Sequence, residues 1–187
     1  ETPMIPRVGL RMQLSEILND LTYYGRGPEE NYRDRRTSQF IGEYTTPIKD
    51  LYEPYIRPQE NEHRTDIYWC ALTTKQKAGL LFIADRTFEL NASNYLLGSL
   101  DSGETIDNGA PRTNETNHRH LTDPQPVKQV DMFIDYRMMG VGGDNSWGAI
   151  AHEPYLIRPG VENAIEYGFS IVPFDKKADY KNLIYQY

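Results

Sequence analysis

VGLRMQL, Val8 to Leu14, sets Val8, Leu10, Met12 and Leu14 against Gly9, Arg11 and Gln13. Strict alternation of apolar and polar residues has the period of a half-buried strand, not that of a helix. The pattern returns in VDMFIDYRM, where Val130, Met132, Ile134, Tyr136 and Met138 alternate with polar Asp131, Asp135 and Arg137. Further strand candidates are Asp20 to Tyr24, Thr65 to Thr73, Gly79 to Ala84, Thr87 to Leu90, Glu153 to Ile157 and Ala164 to Val172. Twelve prolines and fourteen glycines punctuate them. Many short strands separated by turn residues imply an all-β, antiparallel sandwich or barrel.

Two stretches break the rhythm. Asn31 to Pro58 is long, polar and aromatic, with Tyr32, Phe40, Tyr44, Tyr52 and Tyr55, and admits a helical turn near Glu30 to Ser38. Its aromatics suggest a segment packed down over the sheet. Ser99 to Pro126 is rich in Asp, Asn, Thr, Gly and Pro, as a long functional or unstructured loop would be. No repeat, heptad or low-complexity tract is present. The polar, tyrosine-rich FDKKADYKNLIYQY, Phe174 to Tyr187, reads as a C-terminal tail behind a domain spanning 1–173.

At 187 residues the chain fits one domain with one core. Its 27 acidic and 20 basic residues give a net charge of −7, and the basic residues form no block beyond Arg33, Arg35 and Arg36, so a nucleic-acid partner is disfavoured. The longest apolar runs, such as Gly79 to Ala84, are far shorter than the ~20 residues of a bilayer span. No membrane partner is expected. Cys70, the single cysteine, excludes an internal disulfide.

The chemistry-bearing candidates lie in loops. GRGPEENYRDR, Gly25 to Arg35, and MGVGGDNSWG, Met139 to Gly148, are Gly-rich and polar yet match no nucleotide, metal or nucleophile signature. In the first, the glycines and Pro28 set a tight turn while Glu29, Glu30, Asp34 and the arginines are expected in surface or interdomain ion pairs. Glu29 and Glu30 are sequence neighbours and would diverge, so no carboxylate pair suited to acid/base work is evident. In the second, Gly140, Gly142 and Gly143 would allow positive φ, and Asp144, Asn145 and Ser146 could bond the loop to its own backbone. Trp147 either packs beneath this loop or projects from it; Trp69, in the strand-like DIYWCAL, reads as core. His118 and His120 form H-x-H, which on a strand faces both imidazoles one way, but no partner at fitting spacing completes a metal site.

Those two loops, with NHRHL at Asn117 to Leu121 and IPRVGLRMQL at Ile5 to Leu14, resemble in order and spacing the C-terminal small-chain domain (the fifth domain) of bacterial β-galactosidases of glycoside hydrolase family 2. The resemblance implies a supersandwich like that of galactose mutarotase. It also implies a β-galactoside sugar as ligand, and a catalytic barrel of the same polypeptide as partner. That barrel supplies the acid/base and nucleophile glutamates and the magnesium and sodium sites, so no catalytic or metal-binding residue is expected in this chain. The tryptophan of the family's GGD-x-SW segment reaches the mouth of the active site, which assigns substrate contact to Trp147, with Gly142, Gly143, Asp144, Asn145 and Ser146 in support. Asn145 departs from the family, whose best-known members carry a second aspartate there.

A homo-oligomeric full enzyme is implied, cytoplasmic or periplasmic in a bacterium. Because the resemblance starts well inside the family domain, the first strands of the sandwich are expected to be missing, leaving an apolar face at Val8, Leu10, Met12 and Leu14. Two alternatives stand beside it. One is an aldose epimerase, for which Asn117-His118 matches the start of a mutarotase motif that Arg119 and His120 do not continue. The other is a carbohydrate-binding module, which would need further aromatics on the face of Trp147.

Overall fold

The computed structural model describes residues 4–56, 59–100, 124–145, 148–160 and 165–187. Among these residues are seven strands: β1 (Arg7–Ser15), β2 (Asp20–Gly27), β3 (Phe40–Pro47), β4 (Arg64–Thr73), β5 (Gly79–Ser93), β6 (Gln129–Met138) and β7 (Phe169–Phe174). Among the described residues there are also two short α-helices, α1 (Leu97–Leu100) and α2 (Tyr180–Leu183), and two 3-10 turns, Ile48–Asp50 and Glu153–Tyr155, and no helix there is long and apolar enough to cross a membrane. All strand pairs are antiparallel, in one open sheet of order β1-β6-β5-β4-β2-β3. The all-β antiparallel class read from the alternation is therefore present, and the sheet is consistent with a sandwich.

The long strand β5 organises the sheet. Its first half pairs with β7, Gly79 to Phe174 through Ala84 to Phe169, and its second half pairs with β6, Glu89 to Asp135 through Ser93 to Asp131. Sequence reading splits β5 at Asp85-Arg86, where polar residues interrupt the apolar run; the chain continues as a strand because neighbouring strands supply hydrogen bonds on both sides of the interruption. On one face Leu21, Tyr23, Cys70, Leu72, Phe82, Leu90, Met132 and Ile134 form a buried cluster. Packing there against partly buried Met12 and Leu14 explains the alternation in β1. Leu10 stays 45% exposed because β1 is an edge strand, paired to β6 alone.

The opposite face divides in two. Trp69, Ala71, Leu81, Ile83, Val172 and Phe174 form an apolar cluster, over which Tyr180, Leu183 and Ile184 of the C-terminal segment pack. The Tyr180 ring stacks on Phe174 at 5.0 Å and meets Trp69 edge-on at 6.2 Å, so Trp69 belongs to the core as read. Nearer β1 and β6 the same face is charged.

Four local expectations need correction. Phe40–Pro47, inside the stretch read as irregular, is strand β3: it is an edge strand exposed on alternate residues, so propensity rather than burial would have been its only sequence signal. No helical turn forms at Glu30 to Ser38; Tyr32 and Arg35 make an isolated β-bridge instead. Glu153–Tyr155 is a single 3-10 turn with Pro154 at its start, where proline's fixed φ suits a helical first turn and its missing N–H suits no ladder. The strand expected at Ala164 to Val172 is placed at Phe169–Phe174.

Candidate functional site

The loop from Gly25 to Arg35 is built around buried Asn31. Its side-chain amide donates to the carbonyls of Arg26 (3.0 Å) and Glu29 (3.1 Å), and its Oδ1 accepts from the backbone N–H (3.0 Å) and hydroxyl (2.6 Å) of Thr65. One side chain thereby ties the loop to itself and to β4. Gly27 precedes a cis peptide bond to Pro28, and a Cβ on it would lie 2.1 Å from the Tyr23 hydroxyl, so close approach alone demands glycine. Glu30 corrects the expectation of a surface ion pair. Its side chain is only 6% exposed and accepts from Arg35, from the backbone N–H of Glu62 (2.9 Å) and from the hydroxyls of Tyr32 (3.2 Å) and Tyr55. Arg26 and Arg36 both bind Asp66, at 2.8 and 2.9 Å.

The second loop meets the first. Asp34 Oδ2 accepts from the Gly142 N–H at 2.7 Å, joining two segments 108 residues apart. The loop base is held by the Met139 N–H donating to the Pro6 carbonyl (2.9 Å) and the Gly140 N–H to the Tyr155 carbonyl (2.8 Å). Further along, His152 Nε2 lies 2.7 Å from Asp144 Oδ1. The glycines serve contact, not φ, which corrects the sequence expectation: positive φ among described glycines occurs at Gly148 and Gly160. A Cβ on Gly140 would lie 2.7 Å from Asp34 Cγ, and one on Gly143 would lie 2.3 Å from the Ala149 carbonyl oxygen. Val141 to Asn145 and Gly148 to Ile150 are all exposed, so the loop projects from its anchors. Ser146 and Trp147 lie outside the described residues, as do His118, His120 and the NHRHL segment.

Beneath these loops the charged half of the sheet forms a network that sequence reading missed. His63, fully buried, places Nδ1 2.7 Å from Asn91 Oδ1 and Nε2 3.1 Å from Glu89 Oε2. The Asn91 amide is oriented by its own donation to the Asn61 carbonyl (2.6 Å) and by the Arg7 guanidinium at Oδ1 (2.9 Å). Both imidazole nitrogens therefore face acceptors, an arrangement that the doubly protonated ring satisfies. Burial alone would lower the His63 pKa, but hydrogen bonds to Glu89 and Asn91 outweigh it and hold it above its ordinary value. Glu89 also accepts from the Met138 N–H at 2.6 Å, so this network touches the start of the exposed loop.

Arg7 pairs with Asp135 at 2.9 Å and with Glu60 at 3.3 Å, and lies over the Phe133 ring at 4.2 Å. Burial pushes Asp135 up to about 6 despite Arg7 and His63. Glu62, at positive φ, is buried with neither carboxylate oxygen hydrogen-bonded among the described residues, and desolvation pushes it up to about 8 against the pull of Ser93 and Arg64. In the sequence Asp131 and Asp135 read as the polar side of a half-buried strand, and nothing local points to His63 or Glu89. Their clue was present only as an unusual density of Glu, Asn and Asp at alternate positions of both strands.

Two clefts flank the loops. One, of about 600 Å³, opens between Glu29, Arg35, Gln39 and Tyr55. The other, of about 910 Å³, opens where β6 and β7 part along β5, between Arg86, Glu89, Tyr136 and Tyr167. Among the described residues no group of three or more His, Cys, Asp or Glu side chains is arranged to hold a metal ion.

An antiparallel all-β domain that interlocks two glycine-rich loops at one end and projects one of them outward defines the class of this protein: a loop-presenting β domain. Residues 1–171 match the family model described as beta galactosidase small chain, and the chain belongs to that family. It is similar to curated proteins named beta-galactosidase from Priestia megaterium (34% identical over 155 residues, 83% of this chain and 14% of that protein), Vibrio cholerae (32% over 157 residues, 84% and 13%) and Staphylococcus xylosus (28% over 171 residues, 91% and 15%). The chain spans about 14% of the length of such relatives.

Proposed function

We propose that this chain is the C-terminal domain of a retaining β-galactosidase of glycoside hydrolase family 2 that hydrolyses terminal β-D-galactosides such as lactose. Its catalytic glutamates and its magnesium and sodium ions belong to a barrel elsewhere in the polypeptide. The domain walls the active site and offers Trp147 to the sugar, whose face of C–H groups suits a rigid indole. The observation that carries the reading is that Val141 to Asn145 and Gly148 to Ile150, which flank the Ser146-Trp147 pair of the GGD-x-SW segment in sequence, are exposed, with Gly142 held by Asp34. Family membership supports it.

The test has two arms. In the β-galactosidase polypeptide that carries this chain, Trp147→Ala raises KM for a galactoside by the equivalent of ~1–3 kcal/mol while the melting temperature holds. A destabilised variant with unchanged KM would reject sugar contact. The 187-residue chain by itself shows only background hydrolysis of a chromogenic galactoside; turnover that survives purification to homogeneity would place the chemistry here.

A further inference from the structure

The sequence singled out two loops and offered no reason for the chain to carry both. Asp34 supplies one. Its carboxylate stands at the end of GRGPEENYRDR and accepts from the Gly142 N–H at 2.7 Å in an otherwise exposed segment. Its other oxygen, Oδ1, is buried with no hydrogen-bond partner among the described residues, so Asp34 gives up solvation to hold this position. The backbone is shaped around it: a Cβ on Gly140 would come within 2.7 Å of Asp34 Cγ and Oδ2, and one on Gly142 within 3.2 Å of Oδ2. Asp34 is itself held from below, since the loop it ends is tied to β4 through Asn31 and Thr65 and closed by the Tyr32–Arg35 bridge.

We propose that Asp34 is a positioning residue: it staples Gly142 of the second loop to the first loop, which Asn31 ties to β4, and thereby sets where the second loop meets the sugar. The effect on substrate rests on the reading of Trp147 given above. Trp147 lies five residues beyond Gly142 in sequence, so the hydrogen bond from Asp34 acts on the segment that carries it. A charge-assisted hydrogen bond to a backbone N–H is among the stronger single contacts available to an exposed loop. Preorganising a binding group lowers the ordering entropy lost when ligand binds, so the staple acts on KM before kcat.

The experiment compares Asp34→Ala, Asp34→Asn, Gly140→Ala and Trp147→Ala in the intact β-galactosidase polypeptide. Asp34→Ala is expected to raise KM about tenfold with a smaller change in kcat, the scale of one lost hydrogen bond to a charged group. Asp34→Asn, whose amide oxygen still accepts from Gly142, recovers most of that loss. Gly140→Ala displaces Asp34 without removing its charge and raises KM in the same direction, which keeps the test open should Asp34→Ala fail to fold.

A second readout does not depend on the sugar. In the 187-residue chain with Trp69→Phe, Trp147 is the only tryptophan, and Asp34→Ala increases its quenching by acrylamide while Asp34→Asn does not. Asp34→Ala and Gly140→Ala that leave both KM and quenching unchanged, while Trp147→Ala raises KM, would overturn the staple and spare the sugar contact. If Trp147→Ala leaves KM unchanged, sugar contact fails and the staple stands or falls on the quenching alone.

Discussion

Replacing Glu62 by glutamine gives the sharpest test of the buried charge network. The Glu62 side chain is 1% exposed by residue, its oxygens have no hydrogen-bond partner among the described residues, and its pKa rises from an ordinary 4.5 to about 8. Burial is the largest cause, opposed by Ser93 and Arg64 and reinforced by Glu30 and Glu60. A raised carboxyl pKa means that the folded state binds a proton the unfolded state has released. Stability from this group is therefore full below the unfolded pKa and declines as pH rises toward the folded one. Between those values the slope is about −1.4 kcal/mol per pH unit, or about 5 kcal/mol across the window.

Glutamine mimics the protonated carboxyl but does not titrate. The stability of Glu62→Gln relative to wild type should consequently grow by about 1.4 kcal/mol per unit between roughly pH 5 and 7.5. Urea unfolding at several pH values reads this directly. Taking the difference between the two proteins cancels titrating groups that do not interact with Glu62 and any constant loss from the amide itself. Two parallel stability curves across that range would refute a neutral, buried Glu62.

Three further expectations follow from packing and protonation. His63 should remain an imidazolium above its ordinary pKa, with protons on both nitrogens, as an NMR titration would detect; stability from it is full below the ordinary value and lost as pH rises through the folded one, so a neutral single tautomer at pH 6 would contradict the network. Gly9→Ala places a Cβ 2.0 Å from Asp135 Oδ1 and 2.5 Å from its Cα at the β1–β6 bulge, so it should destabilise by about 3 kcal/mol in chemical denaturation, and a neutral effect would mean that β1 sits further from β6 than described. Tyr180→Ala uncovers Trp69 and Phe174 and should cost about 2 kcal/mol with a red shift of Trp69 emission; unchanged emission would show that the C-terminal segment does not pack there.

Much was legible in the chain itself. Alternation in β1 and β6 announced strands because each places one side in an apolar cluster, and that pattern survives in sequence whatever the neighbours are. The Gly-rich wording of the two loops marked them as special, and the family followed from it. Strand β3 was invisible because an edge strand exposed on alternate residues has little apolar signature, and β5 was cut in two because its continuity depends on partners on both sides.

Tertiary structure alone decided that the two loops meet. Nothing local in Asp34 or Gly142 predicts a hydrogen bond across 108 residues, nor that glycine at 140 and 142 answers to the carboxylate opposite and not to φ. The same holds for His63, whose raised pKa comes from Glu89 and Asn91 of β5 folded against it. Periodicity is written along the chain, because burial repeats with the geometry of a strand. Close approach and protonation are set by whichever residues the folded sheet brings within a few ångströms.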